Sequence, residues 1–93
     1  MYDLTGFQRD LLWVIAEMDD PKGLDIKEEL EEYYNSEINH GQHYPNLDEL
    51  ADKGLIKKGN RDQRTNYYRL SGRGRSELRR RHRWEAEKAE AVL

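Results

Sequence analysis

The chain has 93 residues, no cysteine, 35% hydrophobic and 38% charged residues, and a formal net charge of −3. That length provides one small domain burying so modest a fraction of its surface that a second subunit would help stabilise it, and the lack of cysteine excludes disulfides and cysteine-ligated metal. No apolar run approaches the roughly 20 residues of a membrane span and no signal-peptide pattern opens the chain, so the reading is cytoplasmic, while periodic apolar residues argue against disorder.

Asp3 and Thr5 can each cap a first helix, expected over residues 5–18. Leu4, Phe7, Leu11, Val14, Ile15 and Met18 follow the 3.6-residue period and predict the innermost layer of the core. Trp13 lies off this stripe, either half-covered by a neighbouring element or held at a dimer contact. A turn at residues 19–22 leads to a second helix over 24–35, which buries Ile26, Leu30 and one of Tyr33 and Tyr34, with Glu28, Glu29, Glu31 and Glu32 in water. Ile38 then reads as a buried plug and Asn39 as a cap.

In the third helix Tyr44, Leu47 and Leu50 recur every three residues and place one apolar stripe inward, leaving Gln42, His43, Asn46, Glu49 and Lys53 outside. Pro45, which lacks a backbone donor, sharpens the start of this helix. Gly54 stops it, as glycine does where a left-handed backbone conformation follows a C-terminus. Strands are expected over 55–58 and 65–70, with Tyr68 and Leu70 on the core face and Tyr67 and Arg69 on the other. The polar connection between them carries Arg61 and Arg64 and is free to reach a partner.

Ser71 caps a last helix running from Gly72 to about Ala91. Its apolar seam is thin: Leu78, His82, Ala86, Ala89 and Leu93, with Trp84 as one large surface. A helix this polar is marginal alone in water, which argues that it packs against something, most simply its symmetry mate. Arg79, Arg80, Arg81, His82 and Arg83 form either a solvated face paired to acids of the first helices or extra phosphate contacts.

Charge is divided by position. Residues 1–50 hold 3 Lys/Arg and 13 Asp/Glu, residues 51–93 hold 13 and 6, so the basic charge gathers in the hairpin and last helix. The acidic half and the ten arginines against six lysines suit a halophile.

Four blocks in order, Pro21-x-Gly23 with Ile26 and Leu30, Gly41-x-x-Tyr44-Pro45-x-Leu47-x-x-Leu50, Gly54-Leu55-Ile56, and Tyr67-Tyr68-Arg69-Leu70-Ser71-x-x-Gly74-Arg75, resemble the PadR-type winged-helix transcriptional regulators, specifically the small archaeal ones. The resemblance implies a mainly α fold with a β-hairpin wing: a winged helix-turn-helix over 1–70 and a C-terminal dimerisation helix over 71–93. It implies a homodimeric repressor bound to double-stranded DNA, third helix in the major groove and wing along the backbone. Relatives take planar drugs or phenolic acids, so a small-molecule effector near Trp13 or Trp84 is a further expectation.

Residue chemistry assigns parts within that scheme. Gln42, His43 and Asn46 are of types that hydrogen-bond base edges, Asn and Gln matching adenine. Lys53, Lys57, Lys58, Arg61 and Arg64, with the Tyr44 hydroxyl as an alternative to a core role, are expected on phosphate. Dimerisation is expected of Leu78, His82, Trp84, Ala86, Ala89, Leu93 and Trp13. His40, His43 and His82 make a weak metal set, and no nucleophile, phosphate-cradling loop or carboxylate pair suggests an enzyme, so neither metal nor cofactor is expected. A winged-helix module used for protein contact is the competing reading.

Overall fold

The chain enters its first helix, α1 (Gly6–Glu17), through a reciprocal cap: Gln8 N–H donates to Thr5 Oγ1 and Thr5 N–H donates to Gln8 Oε1, both at 3.1 Å. The computed structural model describes residues 1–60, 62 and 65–93, in which α1 is followed by α2 (Gly23–Tyr34), α3 (His40–Asp52), β1 (Ile56–Asn60), β2 (Asn66–Leu70) and α4 (Gly72–Val92). This is the expected order, a helix-turn-helix with a hairpin wing and a long final helix. Arg61 and Arg64 lie outside the described residues.

α1 is the central helix, touching α2, α3, β2 and α4. Packing on several sides widens its buried stripe beyond the one expected: Leu12 and Gln8 are buried beside Leu11 and Ile15, whereas Phe7, Val14 and Met18 are only partly covered. Ile26 and Leu30, Ile38, Leu47 and Leu50, Leu55, Ile56, Tyr68 and Leu78 complete one core. Each such leucine or isoleucine contributes about 1.5–3 kcal/mol by leaving water. Burial pushes the Tyr68 phenol up to about 12. Neither tyrosine at the end of α2 is buried as expected; Tyr33 is exposed, and Tyr34 sits at the core margin, its ring 6.4 Å from Phe7 and its hydroxyl donating to Asp10.

The crossing of α2 and α3 is a close one. A Cβ on Gly23 would fall 2.6 Å from Cε1 of Tyr44, so glycine admits the ring against the first turn of α2. One residue before Tyr44, the fully buried His43 places Nε2 2.8 Å from the Gly23 carbonyl, while its Nδ1 has no partner among the described residues. Because the carbonyl can only accept, Nε2 carries the proton and the ring is neutral, Nδ1 being left as a bare lone pair. Burial holds the His43 pKa below its ordinary value. Glu31, expected in water, ties the connection instead: Oε2 accepts from Lys27 Nζ and from the Ile38 amide, both at 2.8 Å.

The hairpin pairs Ile56 with Leu70 through Asn60 with Asn66, and Tyr68 N–H reaches beyond it to the Pro21 carbonyl at 2.9 Å, joining the wing to the α1–α2 connection. Arg69 reinforces the junction with a two-pronged contact to Asp20, each prong 2.8 Å. At the end of α3, Gly54 takes a φ of +76°, with Gly54 N–H bonded to Ala51 O and Leu55 N–H to Leu50 O, the paired bonds of a glycine-terminated helix. Ser71 then seats α4: its hydroxyl donates to Gly54 O at 2.7 Å and accepts from Gly74 N–H at 2.9 Å.

Gly74 lets α4 pass directly over the start of the wing, since a Cβ there would lie 2.1 Å from the Leu55 carbonyl oxygen, a backbone atom with no room to yield. Gly74→Ala is therefore expected to destabilise the fold by about 1–3 kcal/mol, the range for overpacking. Gly72→Ala meets nothing within 4 Å and should be neutral or slightly stabilising. Urea unfolding of the two variants checks the contrast. A second expectation concerns acid. A folded-state pKa depressed below the unfolded value near 6.5 means that the unfolded chain binds the extra proton first, so the His43 contribution is complete above about pH 6.5 and is lost as pH falls toward the lower folded value. Unfolding free energies measured from pH 7.5 to 5 should decline less steeply in His43→Gln than in the parent.

Candidate nucleic-acid interface

The outward face of α3 is not the one that residue spacing suggested. Gln42 is exposed as expected, but His43 is fully buried against Gly23 and has no route to a base edge. The helix is turned so that His43, Leu47 and Leu50 face the core, and Tyr44, expected there, is half-covered at the edge of the α2 contact. Asn46 is also half-buried and already engaged: its Oδ1 accepts from Gln8 Nε2 at 3.0 Å and its Nδ2 donates to the Gln42 carbonyl at 2.7 Å. His40, weighed from the sequence only as a metal ligand, is exposed and stacks on the Tyr44 ring with centroids 5.7 Å apart and planes within 5°. Its position one helical turn ahead of Tyr44 was the available signal. Gln8 was missed as well; only its part in the cap can be read from Thr5-x-x-Gln8.

Charge divides α3 in two. The first half exposes Asn39, His40, Gln42 and Pro45, with the Asn39 side chain capping the Gly41 amide at 2.6 Å. The second half exposes Asp48, Glu49 and Asp52. Two of these acids are covered by local donors, Asp48 by Lys58 at 3.1 Å and Glu49 by Gln8 Nε2 at 2.8 Å. The neutral half also coincides with the positive end of the helix dipole, so an anionic ligand meets attraction at one end of α3 and acids at the other.

The cations expected on phosphate are not equally available. Lys53 is drawn back to Asp3 at 3.4 Å and Glu49 at 4.0 Å, and Lys58 is held by Asp48, although exposed pairs of this kind are weak and yield readily to a stronger anion. Lys57 is exposed and makes no ion pair among the described residues. Paired with Arg69, it stands on the hairpin face opposite Tyr68; on the Tyr68 side, where α2, α3 and β2 meet, an open groove of about 350 Å³ is lined by Lys22, Gly23, Leu24, Tyr44, Thr65, Asn66 and Tyr68. The Tyr44 hydroxyl borders this groove with no hydrogen-bond partner among the described residues.

On α4 only the root belongs to the core. Leu78, expected on a dimer seam, is buried in the chain's own interior, where Gly74 brings the helix close. Beyond it Trp84, Ala86, Val92 and Leu93 are exposed and Ala89 is partly covered. Trp13 is likewise exposed, its ring meeting His82 edge-on at 6.3 Å, and Trp84 is overlaid by Arg81 at 4.7 Å. Among the described residues the arginine run makes no ion pair with the first helices, one of its two expected roles: Arg80 and Arg81 bond within α4 to Glu77 and Glu85. No helix among the described residues is long and apolar enough to cross a membrane.

Against this geometry, comparison with known proteins is direct. The chain is similar to H. salinarum RosR, in a crystal grown from NaBr, with 48% identity over 92% of this chain and 77% of that one and a TM-score of 0.88. It is similar to the same protein in its RosR-S1 complex, with 47% identity, 94% and 77% coverage and a TM-score of 0.89. Streptococcus pneumoniae FabT in complex with DNA shares the fold at 22% identity, covering 97% of this chain and 60% of that one with a TM-score of 0.74. No curated protein matches the sequence. The profile of the Transcriptional regulator PadR-like family matches residues 11–80, from the middle of α1 into α4. The chain belongs to the PadR-like family of transcriptional regulators.

Proposed function

We propose that the chain is a double-stranded-DNA-binding regulator, acting as a repressor, that inserts the first turns of α3 into the major groove and rests its hairpin on the phosphate backbone. The observation that carries this is the meeting of two features on one side of the molecule. Exposed Gln42 and His40 stand at the positive end of α3, and beside them lies a groove bordered by Lys22, Thr65, Asn66 and the Tyr44 hydroxyl, which has no hydrogen-bond partner among the described residues; exposed Lys57 stands on the other face of the wing. Gln42 offers the paired donor and acceptor that match adenine, whereas Lys57, Tyr44, Arg61 and Arg64 supply phosphate contacts that position without reading sequence. Family membership supports the reading, as does the DNA complex of the FabT protein that shares the fold.

The working unit in this proposal is a two-fold dimer in which the exposed end of α4, with Trp84, Ala86, Ala89 and Leu93, packs on its mate, and Trp13 and His82 flank the contact. Such a dimer addresses half-sites about 34 Å apart, or a multiple of that, along the duplex.

Base and phosphate contacts fail differently when removed. Gln42→Ala should lower affinity for the selected site by on the order of 1–3 kcal/mol and leave random-sequence binding nearly intact. Lys57→Ala should weaken both and reduce the slope of log affinity against log salt by about one unit, because one fewer counterion is released. If the parent protein binds no duplex at any salt concentration, the protein-contact reading replaces this one. For assembly, a chain ending at His82 keeps the core and the Trp13 contact, and sedimentation should find it a folded monomer; an undiminished dimer would refute the role given to α4.

A further inference from the structure

We propose that Gln8 of α1 is a positioning residue that decides which hydrogen-bonding edge Asn46 shows to DNA, making it a donor-only reader that rejects cytosine instead of a bidentate adenine reader. This rests on the DNA-binding reading above. Gln8 is 3% exposed and its amide has a single orientation open to it. Its Oε1 must face the Thr5 amide, from which it accepts at 3.1 Å, so Nε2 must face α3. There both Nε2 hydrogens are consumed, one on Asn46 Oδ1 at 3.0 Å and one on Glu49 Oε2 at 2.8 Å.

The orientation is passed on. With Oδ1 turned inward to accept from Gln8, Asn46 points its Nδ2 along α3, where one hydrogen goes to the Gln42 carbonyl at 2.7 Å. One N–H is left for an outside partner. An asparagine that reads adenine needs both its carbonyl and its amide facing outward, to accept from N6 and donate to N7. Asn46 held in this way donates outward, and the edges that satisfy a lone donor are guanine O6 and N7, thymine O4 and adenine N7, so cytosine, whose major-groove edge offers only a donor, is the base turned away. The helix cap of α1 and the base preference of α3 are thus linked through one buried amide.

The test reverses the polarity of the link. In the double variant Gln8→Glu with Glu49→Gln, the carboxylate at position 8 still accepts from Thr5 N–H and accepts from the amide at position 49, but it now requires a donor from Asn46, which must flip, give up its bond to the Gln42 carbonyl and turn Oδ1 outward, away from that carbonyl. Binding is measured against duplexes permuted at each position of the selected site. The parent should accept guanine, thymine or adenine at the Asn46 position and discriminate against cytosine. The double variant should shift that one preference about tenfold toward cytosine, whose N4 amine donates, and away from guanine and thymine, with random-sequence affinity and salt slope unchanged. An unchanged preference in a folded double variant overturns the proposal and leaves DNA binding standing, whereas absence of any duplex binding by the parent removes both. Should the double variant not fold, side-chain amide exchange in the parent decides: slow exchange of both Gln8 Nε2 hydrogens supports the link, and free exchange of both overturns it.

Discussion

The approach of α3 onto α2 is the constraint on which the rest of this molecule depends. Gly23 has no Cβ, so the Tyr44 ring can lie against the first turn of α2, and His43 follows it inward until its Nε2–H meets the Gly23 carbonyl. Those two contacts set the rotation of α3 about its own axis. Once His43 is inside, Leu47 and Leu50 must be inside with it, four and seven residues on, and Gln42 and Asp48 must be outside. Any larger residue at position 23 would push α3 away and free that rotation, and with it the choice of side chains offered to a ligand.

Around this crossing the polar groups act as ties, not as a solvated coat. Gln8 joins α1 to α3, Glu31 joins α2 to the connection before α3, and Arg69 joins the wing to the α1–α2 turn through Asp20. A hydrogen bond to a charged group is worth more than a neutral one, and the Gln8 and Arg69 ties join residues far apart in the chain, so a small core of leucines and isoleucines is supplemented. The cost appears at His43, whose Nδ1 is buried with no partner among the described residues. Leaving a polar atom dry is tolerable for a neutral imidazole and far less so for an imidazolium, which is why burial holds this residue in its neutral form.

The electrostatic division of the chain has a structural counterpart. Acidic residues dominate α2 and the second half of α3, while the basic excess lies on β1 and α4. Where the halves meet, cations of the second half fold back on acids of the first, Lys53 on Asp3 and Lys58 on Asp48. These exposed pairs are exchangeable and salt-sensitive, so an arriving polyanion competes for lysines that are held only weakly. Lys57 needs no such exchange.

Much was legible in the sequence because it depends on local chemistry. The order of four helices and a hairpin, the caps at Thr5, Asn39 and Ser71, the stop at Gly54, the plug at Ile38 and the inward face of Tyr68 all follow from residue types and periods acting over a few positions. Family membership followed from the same blocks. The rotation of α3 was not legible. Spacings of three from Tyr44 and of four and three from His43 both run through Leu47 and Leu50, and hydropathy favoured the tyrosine. Only the tertiary contact with Gly23, twenty residues away, gives a polar ring a reason to be buried and an aromatic one a reason to stay at the edge. The same holds for Gln8 and Leu78: a glutamine reaching from α1 to α3, and a leucine drawn into its own core by Gly74, are consequences of elements distant in the chain being brought into contact. Local sequence determined which elements form and where they end; long-range packing decided which faces they show.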